Sequence, residues 1–446
     1  MANMPEVFGG LIGEEIVSDF PVAPEFAEIS AESWRAVTML LVVLAFQGYA
    51  ATVPTIAAPY FAKTFHLSEP AIARAFAGFA LSSFGALALA RMADRVGRRR
   101  VLMWSAVVMP LAAIGAATAP SIAAFVAYMI IVEAFLGAAL ASSIVMLAEI
   151  LPIQRRADGQ SWGGLSTAVG GGLCVFVMPV LETFGLSWRW SLAIPAAGIL
   201  ILPLVVRAIP ESRRWERESG EATPRRTHFY DVFVPLYRKR AITIIVCSLL
   251  VAIAGEGVNS YSYYHAVSVI GLSAALASTF TIIGGGLGML GFPLGAWAAE
   301  RYGRVPTIVT FGAASSAVAL AYFWGPPVGF AHPALWLGAA FLFMNAASNA
   351  LTVAALAAIT ELFPTALRGT MLGWFALVTA FGAIGAESTI AHFASAAGGI
   401  SVLTGWISLL GIPGAILFGL AIDETRGLSL DAASREAAFH ARSQAN

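Results

Sequence analysis

The sequence is dominated by apolar stretches that are long enough to cross a lipid bilayer. One of them, residues 36–62, is AVTMLLVVLAFQGYAATVPTIAAPYFA. A membrane-spanning helix needs about 20 apolar residues, whereas the strands of a membrane barrel alternate polar and apolar residues, and no such alternation is sustained here. The chain is 58% hydrophobic and 12% charged, far below the roughly 25% charged residues of soluble domains. We therefore predict an all-α integral membrane protein embedded in the lipid bilayer.

Hydropathy predicts twelve transmembrane helices, numbered here as spans 1 to 12. The predicted limits are 36–60, 70–91, 99–119, 122–148, 161–184 and 188–208, followed by 241–267, 273–298, 305–325, 333–360, 369–395 and 400–422. The predicted parts of the chain are an N-terminal tail (1–34), a six-helix half (35–208), a linker (209–240), a second six-helix half (241–422) and a C-terminal tail (423–446).

Basic residues predict the orientation of the chain in the membrane. With twelve spans, both tails and the linker lie on the same side. All Lys and Arg residues fall on that side except Lys63, Arg74 and Arg189. Because cytoplasmic loops carry an excess of Lys and Arg, both termini are predicted to be cytoplasmic. The protein is predicted to be a multi-pass protein of the cell membrane, the inner or plasma membrane.

Three charged phrases occur twice, about 210 residues apart. AEILPIQRRADG (148–159) corresponds to TELFPTALRGT (360–370), and ARMADRVGRRR (90–100) corresponds to AWAAERYGRVP (296–306). PESRRW (210–215) corresponds to DETRG (423–427). Each phrase has the same place in its six-helix half. The repeats therefore predict two pseudo-symmetric halves, as in duplicated half-transporters.

Together these phrases resemble the motifs of the major facilitator superfamily, in the branch that holds sugar porters, organic ion carriers and aromatic-acid symporters. The resemblance implies a twelve-helix transporter that works by alternating access. The phrases place carboxylates and guanidinium groups at the cytoplasmic helix ends, where Arg can form bidentate pairs with carboxylates. We predict that they form a cytoplasmic gate between the halves. The predicted gate residues are Asp94, Arg95, Arg98, Glu149, Arg156, Glu300, Arg301, Arg304, Glu361 and Arg368.

Three acids lie inside predicted spans, and they are the first candidates for a transport site. Glu133 is in span 4, Glu256 in span 7 and Glu387 in span 11, and no Lys or Arg lies near the centre of any span. A charge at membrane depth costs about 2.5–3.5 kcal/mol on insertion scales, so such residues usually mark ion or substrate paths. Alternatively, each acid is protonated and hydrogen-bonded to a neighbouring helix in a purely structural role. Neutral candidates for substrate binding or proton coupling are Gln47, Asn259, Tyr263, Asn345 and Asn349.

Differences between this sequence and the families that it resembles indicate what kind of substrate to expect. Where sugar porters carry paired glutamines in helix 7, this chain has Ile253 and Ala254. Where aromatic-acid symporters carry arginines in helices 4 and 11, it has Glu133 and Ala380. An acidic, aromatic-lined cavity without arginine favours a cationic or neutral organic solute.

We therefore predict a secondary active transporter of a small organic solute, cationic or neutral, that uses protons for coupling and functions as a monomer. The alternatives are an aromatic-acid or other carboxylate/proton symporter, and a transporter-like receptor without net transport. An enzyme is not expected, because the sequence contains no HExxH motif, no phosphate-binding loop and no Cys/His cluster. Neither a cofactor, a metal ion nor a nucleic acid is an expected partner.

Overall fold

The computed structural model describes residues 30–151, 155–211, 229–325, 332–427 and 434. It contains twelve helical segments that are long and apolar enough to cross a membrane, from Glu32–Thr64 to Ile400–Ala421. The predicted all-α membrane fold with twelve spans is therefore confirmed. The N-terminal tail up to residue 29 and linker residues 212–228 lie outside the described residues.

The first half consists of spans 1 to 6, two of which are interrupted. Spans 1, 3, 4 and 5 are single helices: Ala31–Thr64, Arg98–Ala117, Ile122–Ile150 and Arg156–Thr183. Span 2 is divided at Leu81 into Glu69–Ala80 and Ser82–Val96. Span 6 alternates 3₁₀ and α turns: Trp188–Leu192, Ala193–Ala197, Gly198–Ile201 and Leu202–Ala208. Its prolines, Pro195 and Pro203, lack the N–H that a regular helix requires, which is consistent with this irregularity.

The second half repeats this arrangement with spans 7 to 12. Its single helices are span 9 (Arg304–Trp324), span 10 (Pro333–Glu361) and span 11 (Thr365–Phe393). Span 7, Arg238–Tyr264, follows a 3₁₀ turn at Asp231–Phe233 and continues as a π turn, His265–Val269. Span 8 is divided into Ala274–Gly288 and Gly291–Tyr302, and span 12 into Ile400–Ser408 and Gly411–Ala421.

Close backbone contact holds span 1 against span 5. A Cβ atom on Gly48 would lie 1.9 Å from the carbonyl oxygen of Thr167, and one on Gly170 would lie 1.9 Å from that of Ala45. No side chain fits in either gap. Small residues allow such approach between membrane helices, where packing rather than the hydrophobic effect drives association.

The two ends of the helical bundle differ in how the halves meet. We call the end that carries Arg98 and Arg304 the basic end, and the end that carries Glu69 and Ile400 the far end. The first helices of spans 2 and 8, which begin at the far end, pack against spans 11 and 5 of the opposite half. Span 1 also packs against span 7. The halves therefore surround a central space and join at its far-end side.

Candidate functional site: a cavity with two chambers

A polar cavity of about 390 Å³ lies between the halves, and we call it the hydroxyl chamber. Spans 1, 5, 7, 8, 9, 10 and 12 all contribute to its wall. Neutral hydrogen-bonding groups make up its polar surface, and no charged residue is among the described residues that line it. The polar side chains are those of Thr52, Thr55, Asn259, Ser262, Tyr263, Thr281, Ser315, Ser316, Asn345, Ser348 and Ser408.

A second cavity of about 530 Å³ contains two acids, and we call it the acidic chamber. Glu133 of span 4 and Glu256 of span 7 both line it, so each half contributes one carboxylate. Span 2 contributes the aromatic rings of Phe76, Phe79 and Phe84. Among the residues that the structure describes, neither chamber is lined by Lys or Arg.

The two chambers adjoin each other near the middle of the bundle. Ala51, Thr55 and Asn259 line both of them. Asn259 is an exposed side chain of span 7, one helical turn from Glu256. The arrangement is thus one site with a neutral polar part and an acidic part.

The third predicted acid, Glu387, is buried beside the acidic chamber and does not appear among the residues that line it. Its side chain is 1% exposed, and it accepts a hydrogen bond from the hydroxyl of Tyr261. Glu256 is close enough to interact electrostatically with both Glu133 and Glu387. The structure therefore brings the three acids together. It also identifies Tyr261, which sequence reasoning did not select, as a partner of Glu387.

Tyr261 connects this acid to the opposite half as well. Its ring contacts Phe76 of span 2 edge to face, with the ring centroids 5.2 Å apart. A tyrosine that is buried usually needs a partner for its hydroxyl, and Glu387 supplies one. The motif NSYSYYH (259–265) contains three tyrosines, and the sequence alone does not show which of them faces the acid.

The neutral candidates are divided between the cavity and the surrounding helices. Tyr263 and Asn345 line the hydroxyl chamber, and Tyr263 shares a hydrogen bond of 3.1 Å with Ser278. Asn349 donates a hydrogen bond of 3.1 Å to the carbonyl oxygen of Gly288, where span 8 is divided. Gln47 lies away from both chambers, in a separate cavity of about 30 Å³ among spans 1, 3, 4 and 6.

Charged residues at the basic end of the first half pair within that half. Arg98, at the start of span 3, forms an ion pair with Glu149 at the end of span 4. Glu211 accepts a hydrogen bond of 3.1 Å from the backbone N–H of Arg99. Gly97 has φ 104°, and a Cβ atom there would lie 2.5 Å from Oε2 of Glu211. Only glycine adopts this conformation readily, so Gly97 allows the carboxylate of Glu211 to cap span 3.

The second half repeats this arrangement in more detail. Arg304 donates to Oε1 of Glu361 over 2.8 Å and 3.1 Å, and Thr425 donates to Oε2 over 2.6 Å. Glu424 accepts hydrogen bonds of 2.9 Å from the backbone N–H groups of Arg304 and Val305. Burial raises the pKa of Glu424, but these backbone N–H groups oppose that effect and hold it below its ordinary value. These ion pairs join helices of one half.

The remaining predicted gate residues lie outside these described ion pairs. Arg95, Glu300 and Arg301 are exposed at the basic end. Arg368 donates to the carbonyl oxygen of Phe363 over 3.1 Å, within its own connection. The side chains of Asp94 and Arg156 lie outside the described residues.

Twelve membrane helices in two halves around a solute-sized cavity define a membrane transporter. The chain belongs to the Major Facilitator Superfamily, whose family model matches residues 38–387. The chain is accordingly a transporter and not an enzyme.

Curated relatives include transporters of several kinds of small organic molecule. The chain is 25% identical over 371 residues to the gentisate transporter of Corynebacterium glutamicum, covering 80% of each chain. It is 25% identical over 409 residues to the major myo-inositol transporter IolT of Bacillus subtilis, covering 78% of this chain and 82% of the other. The niacin transporter NiaP of Acinetobacter baylyi is 22% identical over 386 residues, covering 79% and 85%.

Solved structures support the fold. The D-xylose–proton symporter superposes with a TM-score of 0.70 at 19% identity, covering 89% of this chain and 99% of that one. The nucleoside transporter NupG superposes with a TM-score of 0.67 at 16% identity, covering 86% and 98%.

Proposed function

We propose that this protein is a proton-coupled secondary transporter of a neutral or cationic small organic solute. One observation carries the proposal: Glu133 and Glu256 come from opposite halves and line the same chamber, which no described Lys or Arg lines. Two carboxylates that share one chamber disfavour double ionisation, because each ionised group opposes the ionisation of the other. Each of them needs a proton or a cation, and a solute carboxylate would add a further negative charge.

Alternating access would follow from the way the halves meet. At the far end, Glu69 of the first half accepts a hydrogen bond of 2.7 Å from the backbone N–H of Ile400 in the second. The acidic chamber extends along span 2 as far as Ala90, one helical turn from Asp94 and the basic end. This geometry supports a carrier whose site is reached from the basic end while the far end is closed.

The charged clusters at the basic end would serve this movement as clamps inside each half. Arg98–Glu149 and Arg304–Glu361 each join the start of one span to the end of another in the same half. Both pairs are partly buried, where ion pairs with good geometry are less screened than exposed ones. We propose that these clamps keep each half rigid while it rotates. A direct gate between the halves stays a prediction.

An aromatic-acid symporter is the second candidate, and the similarity to the gentisate transporter favours it. A carboxylate ligand usually requires Arg, Lys or backbone N–H groups. In the two chambers, the described lining contains hydroxyls, amides and acids but neither Lys nor Arg. The electrostatic argument therefore favours the neutral or cationic solute.

Counterflow into proteoliposomes tests the proposal with three matched aromatics: tyramine, tyrosol and 4-hydroxyphenylacetate. They share one phenol and differ in carrying an ammonium, an alcohol or a carboxylate. We expect exchange of the amine or the alcohol, and an acceleration by an imposed proton gradient that is lost in Glu133→Gln. Glu32→Gln, at the exposed start of span 1, is the matched control. Preference for the carboxylate would establish the second candidate, and a protein that binds solutes without exchanging them would be a receptor.

We further propose that both termini face the cytoplasm of a cell-membrane protein that acts as a monomer. Both native cysteines, Cys174 and Cys247, are buried, so they give little background in labelling experiments. A Glu300→Cys variant should react with an impermeant maleimide only after the cytoplasmic face is exposed. Labelling of the Glu300→Cys variant in intact cells would show that the orientation is opposite to the one proposed. Light scattering of the purified protein in detergent tests the monomer.

A further inference from the structure

Four hydroxyl groups of the hydroxyl chamber are placed to accept hydrogen bonds from a ligand. Thr52 and Thr281 donate their hydroxyl hydrogens to the carbonyl oxygens of Gly48 and Ala277, over 2.8 Å and 2.7 Å. Each hydroxyl has only one hydrogen, so its oxygen can offer only lone pairs to a ligand. The same internal donation is made by Ser262 and Ser408. These four oxygens therefore favour a ligand that brings O–H or N–H donors to them.

The acidic chamber favours a positively charged ligand group that balances its carboxylates. Glu133 and Glu256 line it together and interact electrostatically. With one proton and one monovalent cation, both carboxylates would be neutralised without an unpaired charge at membrane depth. Phe76 and Phe79 line the same chamber, and the face of an aromatic ring attracts an ammonium group within about 6 Å of its centroid.

A single ligand can occupy both chambers. They share Thr55 and Asn259 as lining residues, and their volumes are about 390 Å³ and 530 Å³. Pockets for small organic ligands typically range from about 300 to 1,000 Å³. A molecule that extends past Asn259 would place one end among acceptors and the other between two acids.

We infer that the substrate is a hydroxylated amine, whose ammonium group lies between Glu133 and Glu256 and whose hydroxyl groups donate into the hydroxyl chamber. This inference rests on the proposed transport function and narrows its substrate class. Neutral polyols match only the hydroxyl chamber, and hydroxylated carboxylates place a negative charge beside two acids.

Competition between the ammonium group and a proton follows from this placement. Both neutralise the same carboxylates, so binding of the cation displaces a proton to the solvent. Other titratable groups near the pair are Glu387 of span 11 and Tyr261 of span 7. The described chamber lining from spans 1, 2 and 4 adds no titratable group besides Glu133. The affinity for the amine should therefore fall as the pH falls, and that for a matched alcohol should not.

Calorimetric binding to the purified, full-length protein in nanodiscs tests the inference with two matched sets. One set is 1-amino-1-deoxysorbitol, sorbitol and gluconate, and the other is tyramine, tyrosol and 4-hydroxyphenylacetate. In at least one set the amine should bind about tenfold or more tightly than the alcohol, and the carboxylate should bind most weakly. Displacement of one proton would weaken amine binding by up to about tenfold for each unit of pH lowered.

Substitutions distinguish the contributions of the two chambers to binding affinity. Glu256→Gln should remove most of the preference for the amine over the alcohol, whereas Thr281→Val should weaken amine and alcohol by the same factor. Glu32→Gln should leave all affinities unchanged. The inference is wrong if no amine binds, if an alcohol or carboxylate binds best in both sets, or if the amine preference persists in both Glu133→Gln and Glu256→Gln. Counterflow of some other neutral solute in that case would leave the proposed transport function standing.

Discussion

The hydrogen bond between Glu69 and Ile400 offers the most direct test of how the far end closes. Glu69 is the first residue of span 2, and its Oε2 accepts the backbone N–H of Ile400 at the start of span 12 over 2.7 Å. A Cβ atom on the preceding Gly399, which has φ 120°, would lie only 3.0 Å from the same oxygen. One carboxylate therefore caps a helix of the opposite half, and the bond must break when the halves separate at this end.

The structure allows the energy of this contact to be bounded. A hydrogen bond to a charged group contributes about 1.5–3 kcal/mol, and a negative charge at a helix N-terminus adds about 0.3–1 kcal/mol. Part of this is recovered by hydration of Glu69 once the far end opens. We therefore expect Glu69→Ala to move the equilibrium toward the far-end-open state by about 1.5–3 kcal/mol, or roughly tenfold to a hundredfold. Glu69→Gln keeps an acceptor oxygen without the charge and should shift it by about 0.5–1.5 kcal/mol.

Double electron–electron resonance in nanodiscs measures this shift. Spin labels at Lys63 and Ser395, both exposed near the far end, report the distance between the halves. Glu69→Ala should increase the population at the longer distance, Glu69→Gln should do so less, and Glu32→Ala should match the unsubstituted protein. Identical distance distributions in Glu69→Ala and the unsubstituted protein would refute the reasoning. They would mean that other contacts, such as the ring contact between Phe76 and Tyr261, keep the far end closed.

Three further predictions concern the coupling site and the basic end. Glu133→Gln should insert into the membrane and exchange substrate but fail to accumulate it, because a neutral amide cannot release a proton. Counterflow and proton-driven uptake, measured side by side, would show this. Accumulation with unchanged pH dependence would contradict it. Gly303→Ala should lower the thermal stability, because its φ of 111° disfavours a side chain by about 1–3 kcal/mol and the added Cβ would lie 2.4 Å from Glu424. Gly286→Ala, where a Cβ meets no atom within 4 Å, is the control, and equal melting temperatures for the two variants would be evidence against the cap. Because the pKa of Glu424 is lowered, its carboxylate contributes fully to the stability of the fold at pH values above the ordinary carboxyl pKa of 4.5. This contribution is lost as the pH falls through the lowered pKa. Melting curves between about pH 6 and pH 3 should therefore show a smaller acid-induced decrease in Glu424→Gln, and identical pH profiles would argue otherwise.

Much of the fold could be predicted because the bilayer leaves few alternatives. Backbone N–H and C=O groups in hydrocarbon must be paired within the segment, so long apolar stretches become helices. The six charged phrases then identified the two halves. In the structure, the third pair of phrases caps equivalent helices: Glu211 bonds at the start of span 3 and Glu424 at the start of span 9. Repeat spacing predicts equivalence of this kind, but it does not predict which partner each charge contacts.

The candidate site was only partly predictable, because hydropathy does not fix the rotation of a helix about its axis. Successive residues of a helix point about 100° apart, so knowing that a residue lies in a span does not show whether its side chain faces the cavity or a neighbouring helix. Gln47 and Asn259 were equally plausible from the sequence, but Asn259 lines both chambers and Gln47 lies among helices of the first half. Acids stand out at membrane depth because their burial is costly. Serines and threonines such as Ser315 and Ser348 do not, because they are common in membrane helices.

The division of the two acids between the halves links chemistry to movement. Glu133 belongs to the first half and Glu256 to the second, so any movement between the halves changes the separation of the two carboxylates. When both are ionised, their repulsion, about 4 kcal/mol at a separation of 4 Å and an effective dielectric constant of 20, opposes close approach of the helices. A bound proton or ammonium group removes this repulsion. An empty and fully ionised site would then resist the conversion that a site holding a proton or an ammonium group can make, so the movement of the halves depends on the charge state of the site. With Glu133 replaced by glutamine the repulsion is absent in every state, so the halves can move whether or not a proton is bound. This is the physical reason why that variant should retain exchange while it loses accumulation.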